Sequence, residues 1–148
     1  KFLSYIPLFQ DEVFAIMSKQ NELSEVKYLQ PNHFVNMHLI IQCFPIETVA
    51  IYKHFLKTKN IIPTKISAVA LTEIALEMVN ADLGITCVPK WALQSFKIPN
   101  NLIFKRVGKN GLHRTFYLAI RKEDERKKYV RDFISIFKED FTVACGAC

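Results

Sequence analysis

Residues 65–89, KISAVALTEIALEMVNADLGITCVP, change their apolar period twice, and those changes decide the fold. Residues 65–69 are short and partly β-branched, as a strand requires. Leu71, Ile74, Ala75, Met78 and Val79 then recur at i, i+3, i+4, i+7 and i+8, which is one face of a helix. Gly84 closes that unit, and Ile85, Thr86, Cys87 and Val88 make a second strand-length run, stopped by Pro89. A strand without polar alternation is covered on both faces, the condition of a parallel strand between helices.

The same alternation of periods precedes this segment. Residues 38–42, HLIIQ, are too short for a helix and apolar on both sides. Val49, Tyr52, Phe55 and Leu56 repeat at helical spacing within residues 48–59, Lys53, Lys57 and Lys59 fall elsewhere, and Pro63 lies beyond the end. Strand, helix, strand, helix, strand over residues 38–88 predicts an α/β fold on a parallel sheet with right-handed crossovers. Tyr52, Phe55 and Leu56 also offer more apolar surface than one short helix needs, so self-association is expected.

Outward from this centre, residues 2–9 and 13–18 read as one long or two consecutive strands, 31–37 and 90–96 as short helices, and 102–107 and 115–121 as strands on either side of a turn at 108–111. Val130, Phe133, Ile134, Phe137 and Phe141 line one face of a terminal helix that is expected to begin near Glu123 to Glu125, acids suited to a helix N-terminus.

Half of the 148 residues are hydrophobic and 23% charged, a balance that supports one core and excludes a disordered or fibrous chain. No apolar run approaches the roughly 18 residues of a membrane span. Cys43 and Cys87 sit in apolar runs, and Cys145 and Cys148 at the end, which is not a secreted disulfide framework; a reduced, cytoplasmic setting is expected. The chain starts at Lys1 without an initiator Met or leader and reads as part of something longer. Net charge is +6, with eleven Lys/Arg against six Asp/Glu in residues 101–148 and nine against eight before them. A solvated face on the last helix accounts for that excess more simply than a nucleic-acid footprint does.

In open α/β sheets ligands bind beyond the carboxyl ends of the strands. That rule selects Gln42, Cys43, Phe44, Pro45 and Thr48 after the first strand, Ala70 and Thr72 after the second, and Pro89 after the third. Thr48 and Thr72 stand where helices start, so their hydroxyls and the free first-turn N–H groups suit an anion such as a carboxylate; equally, both are good helix caps. Signals for catalysis are weak. There is no phosphate loop, no HExxH and no nucleophile elbow; His33, His38, His54 and His113 are scattered, and Glu73 and Glu77 suit a solvated helix face. Cys145 and Cys148 have CxxC spacing but no second pair, so neither a metal nor a cofactor is expected.

The order of certain motifs resembles a known family. Pro7-Leu8-Phe9 followed by acids and an apolar strand, Leu83-Gly84-Ile85 leading to Cys87-Val88-Pro89, and Phe116-Tyr117-Leu118-Ala119-Ile120-Arg121 before an amphipathic helix are similar to the effector-binding domain of LysR-type transcriptional regulators, from about Tyr5 to Phe141. Residues 51–56, IYKHFL, and 89–93, PKWAL, look most like its methionine-biosynthesis branch, which implies homocysteine as effector. The resemblance implies a two-lobed domain of the type II periplasmic-binding-protein shape, with a small effector held between the lobes. On that plan residues 1–37 are the remainder of lobe I and a crossover, 38–96 are lobe II, 97–141 return to lobe I through the terminal helix, and 142–148 are a tail. The family's opening strand and helix of lobe I and its N-terminal helix-turn-helix have no counterpart here, so DNA contact is expected only through that separate domain. A homodimer or homotetramer is implied for the intact protein. An enzyme or a solute-binding domain on the same architecture is the alternative, since fold does not fix function.

Overall fold

A computed structural model describes residues 2–146, with side chains through residue 140. The chain divides into two compact units, one formed by residues 12–112 and the other by residues 1–11 with 113–148. Cys148 lies outside the described residues, as does the side chain of Cys145.

The larger unit is a sheet in the order β2-β6-β1-β5-β3-β4. Its strands are β1 (Leu3–Ser18), β2 (Tyr28–Leu29), β3 (His38–Ile41), β4 (Lys65–Ala68), β5 (Ile85–Pro89) and β6 (Leu102–Val107). The three strands of the decisive segment are parallel neighbours: Ile41 pairs with Ala68, and Ile40 with Thr86. The whole sheet is mixed, however, because β1 runs antiparallel to both β5 and β6, with Phe14 opposite Val88 and Arg106. The sheet therefore extends beyond residues 38–96 and takes in the second half of β1. Arg106 also bonds Glu12 at 2.9 Å, tying β6 to β1.

Alternation along the central strands splits the core. Leu39, Ile41, Ile85 and Cys87 point to one side with Phe34, Ile51 and Leu56; Ile40 and Val88 point to the other, against Ala75, Leu76 and Val79 of α1 (Thr72–Asn80). Every residue from Leu39 to Ile41 and from Ile85 to Val88 is buried, as strands covered on both faces must be.

The segment expected as a helix over 48–59 is continuously helical from 50 to 59, but it is not uniformly α-helical. A 3-10 turn at Ile46–Thr48 is followed by a π-helical turn at Tyr52–Leu56 and another 3-10 turn at Lys57–Lys59. Ile51 and Leu56 are both fully buried, and a separation of five residues suits an i→i+5 turn better than an α-helical one. Tyr52 and Phe55 pack on the same core, with Phe55 edge-on to Phe34 at 6.1 Å. The apolar surplus read as a signal for self-association is consumed within the unit.

In the smaller unit, β7 (Leu112–Arg121) pairs with β1, and Phe9 stacks on Phe116 with centroids 4.8 Å apart. The Arg114 guanidinium lies 4.5 Å over the Phe116 ring. Burial lowers the pKa of Arg114, and the charge of Asp11 opposes that shift. The terminal helix α3 spans Lys128–Gly146, starting later than the acids Glu123 to Glu125. Those acids belong to a preceding turn: Lys122–Asp124 is 3-10, and Asp124 pairs with Arg121 and Lys127 instead of facing a helix N-terminus.

Candidate functional site

Because β4, β3 and β5 are parallel neighbours, their carboxyl ends open on one edge of the larger unit. Gln42, Cys43, Phe44, Pro45 and Thr48 follow β3, Ala70 and Thr72 follow β4, and Pro89 ends β5, so the fold brings these segments to one edge. The Val69 amide donates to the Ile41 carbonyl at 2.9 Å and holds the second of them to the first. Cys43, Phe44, Pro45, Thr48 and Ala70 are exposed, Phe44 by 60%, while Gln42, Thr72 and Pro89 are half-buried.

Neither threonine is a side-chain helix cap. The cap residue of α1 is Leu71, with Thr72 already inside the first turn and no side-chain bond closing it. Thr48 ends its 3-10 turn, and its hydroxyl donates back to the Pro45 carbonyl at 2.8 Å. With that proton engaged, Thr48 Oγ1 presents lone pairs, not the donor expected for an anion. Cys43 Sγ is 3.9 Å from the same oxygen.

Two polar residues the sequence reading passed over organise this unit. Thr86 is fully buried in β5, where its hydroxyl donates to the Ile40 carbonyl at 2.9 Å and receives Gln42 Nε2 at 3.5 Å. A lone hydroxyl in an otherwise apolar run was the available signal. His38, at the opposite end of β3, bridges the Leu83 carbonyl (Nδ1, 2.6 Å) and Ser67 Oγ (Nε2, 2.8 Å). A carbonyl only accepts, so Nδ1 carries the proton of the bond to Leu83. His38 is a tie between strands, away from the strand-end edge.

Cys87 is buried, which pushes its thiol up to about 12, far from a reactive thiolate. Glu73 and Glu77 are exposed. Among the described residues no group of three His, Cys, Asp or Glu could hold a metal ion, and no helix is long and apolar enough to cross a membrane.

The family model described as the LysR substrate binding domain matches residues 3–142. The chain belongs to that family. The LysR domain is 31% identical over 132 residues to the HTH-type transcriptional regulator MetR of Haemophilus influenzae, a match that covers 89% of this chain and 42% of that one. The chain thus spans less than half the length of this relative. Among solved structures it is similar to the regulatory domain of MetR from N. meningitidis, with a TM-score of 0.85, 27% identity, and coverage of 94% of this chain and 66% of that chain. The effector-binding domain of a BenM variant shares the fold at a TM-score of 0.78 and 19% identity, covering 98% of this chain and 67% of that one. The mixed α/β fold is that of LysR effector-binding domains, the periplasmic-binding-protein-like type.

Proposed function

We propose that this LysR domain is the effector-sensing module of a MetR-like transcriptional regulator, working in the cytoplasm and binding a small amino-acid metabolite, homocysteine first among candidates, beyond the ends of β3, β4 and β5. The observation that carries this reading is the gathering at one edge of Gln42, Cys43, Phe44, Pro45, Thr48, Ala70, Thr72 and Pro89, polar lone pairs and apolar surface together. The uncapped first turn of α1 supplies free N–H groups for a carboxylate. Homocysteine is the effector implied by the resemblance of residues 51–56 and 89–93 to the methionine-biosynthesis branch. Residues 38–96, the proposed lobe II, hold these groups within the larger unit of residues 12–112. The remainder of lobe I, a helix-turn-helix that reads DNA, and a dimeric or tetrameric assembly belong to the intact regulator. Effector occupancy acts through different affinities for two arrangements of that assembly.

Isothermal titration of L-homocysteine into the intact regulator, with the ligand recovered and analysed by mass spectrometry, tests the reading. Saturable binding and an unaltered ligand are expected. Turnover of the ligand would assign an enzyme instead, and the absence of binding by any amino acid would remove the effector class.

A further inference from the structure

Gln42 carries an amide whose two ends have opposite hydrogen-bonding character, and its partner Thr86 decides which end is engaged. Thr86 Oγ1 lies 2.9 Å from the Ile40 carbonyl. Since that carbonyl has only lone pairs to offer, the single hydroxyl proton of Thr86 lies in this bond, and Thr86 can do no more than accept from other groups. Gln42 meets it through Nε2 at 3.5 Å. The reverse placement, Oε1 against Oγ1, would set two acceptors face to face with no proton between them. The amide is thereby oriented, with Nε2 on Thr86 and Oε1 bonded to no protein group among the described residues.

Thr48 follows the same logic in the same loop, its proton engaged by the Pro45 carbonyl and its oxygen left exposed. Residues 42–48 contain Glu47 and no Lys or Arg. The end of β3 is thus a place of acceptors, which suits a ligand's positively charged donor.

We infer that Gln42 Oε1 accepts a hydrogen bond from the ammonium group of the effector, and that Thr86 is a positioning residue which fixes the amide for that purpose. The inference rests on the strand ends being the effector site. It adds that the effector is selected for an amino group and names the atoms that select it.

The test is calorimetric titration of the intact regulator with two probes, L-homocysteine and mercaptobutyrate, its analogue without the amino group. A hydrogen bond to a charged group corresponds to about tenfold or more in affinity, so homocysteine should bind the wild type tighter by at least that factor. The preference should fall about tenfold in Gln42→Leu and in Thr86→Val, and persist in Thr86→Ser, which keeps the hydroxyl. Should Thr86→Val fail to fold, Gln42→Leu at the half-buried loop position decides the matter. Equal binding of both probes by the wild type, or an undiminished preference in Gln42→Leu, overturns the inference while leaving the effector reading intact. A uniform loss of affinity for both probes in Thr86→Val reduces Thr86 to a structural role. Binding of neither probe removes the amino-acid reading and this inference with it.

Discussion

Gly84 is required by the closeness of its neighbour: a Cβ built there would stand 2.4 Å from the His38 carbonyl oxygen and 3.1 Å from the His38 Cβ. Both are fixed by β3, so Gly84→Ala should cost about 2 kcal/mol or more, read from urea unfolding. Cys87 gives a pH dependence whose sign follows from its burial. Burial raises its pKa in the folded state to about 12, above the ordinary thiol value of 9.0, so the stability of the neutral thiol is fully present below pH 9.0 and is lost as pH rises toward 12. One pH unit above the free thiol value the loss is about 1.4 kcal/mol. Melting temperatures at pH 8 and 10 should therefore differ less in Cys87→Ala than in the wild type, and an unchanged difference would remove Cys87 as the cause. In the folded protein a thiol reagent should modify exposed Cys43 and leave Cys87 untouched. Thr48→Val and Thr72→Val should weaken effector binding about tenfold, with thermal stability changed by less than a helix cap's roughly 1 kcal/mol, since neither side chain caps a helix.

Among the elements, the segment after β3 is the sharpest case of burial overriding a simple period. Leu56→Ala should cost about 2–5 kcal/mol, because Leu56 is fully buried under the sheet, whereas Lys53→Ala should stay within about 0.5 kcal/mol. Comparable losses from both would mean that this turn does not anchor the core. The elements with a clear period were legible: α1 from its stripe of five apolar residues, and β3 and β5 from continuous apolar runs. The π turn was not, since Val49, Tyr52, Phe55 and Leu56 fit a helical pattern and nothing local shows that Ile51 and Leu56 must reach the core together. β2 has two residues, too few to carry any period. The start of α3 was misplaced because Glu123 to Glu125 look like a helix N-terminus, while Arg121 and Lys127 hold Asp124 in a separate turn.

At the scale of the molecule, the order of strands and helices in the sequence is enough to put Gln42, Ala70, Thr72 and Pro89 at neighbouring strand ends, since parallel neighbours must open on the same side. The polarity of those ends was not legible. Whether Thr48 donates or accepts depends on its distance to Pro45, and the orientation of Gln42 depends on a residue 44 positions away in the chain. Among the charges after residue 100, Arg121 and Lys127 pair with the neighbouring acids Glu123 and Asp124 at the surface. The mode of regulation turns on where the effector binds. Hydrogen exchange of the intact regulator, measured by mass spectrometry with and without saturating L-homocysteine, tests it most directly: slowed exchange in residues 42–48, 70–72 and 89–93 is the predicted result, and calorimetrically verified binding that leaves all three segments unchanged would contradict it.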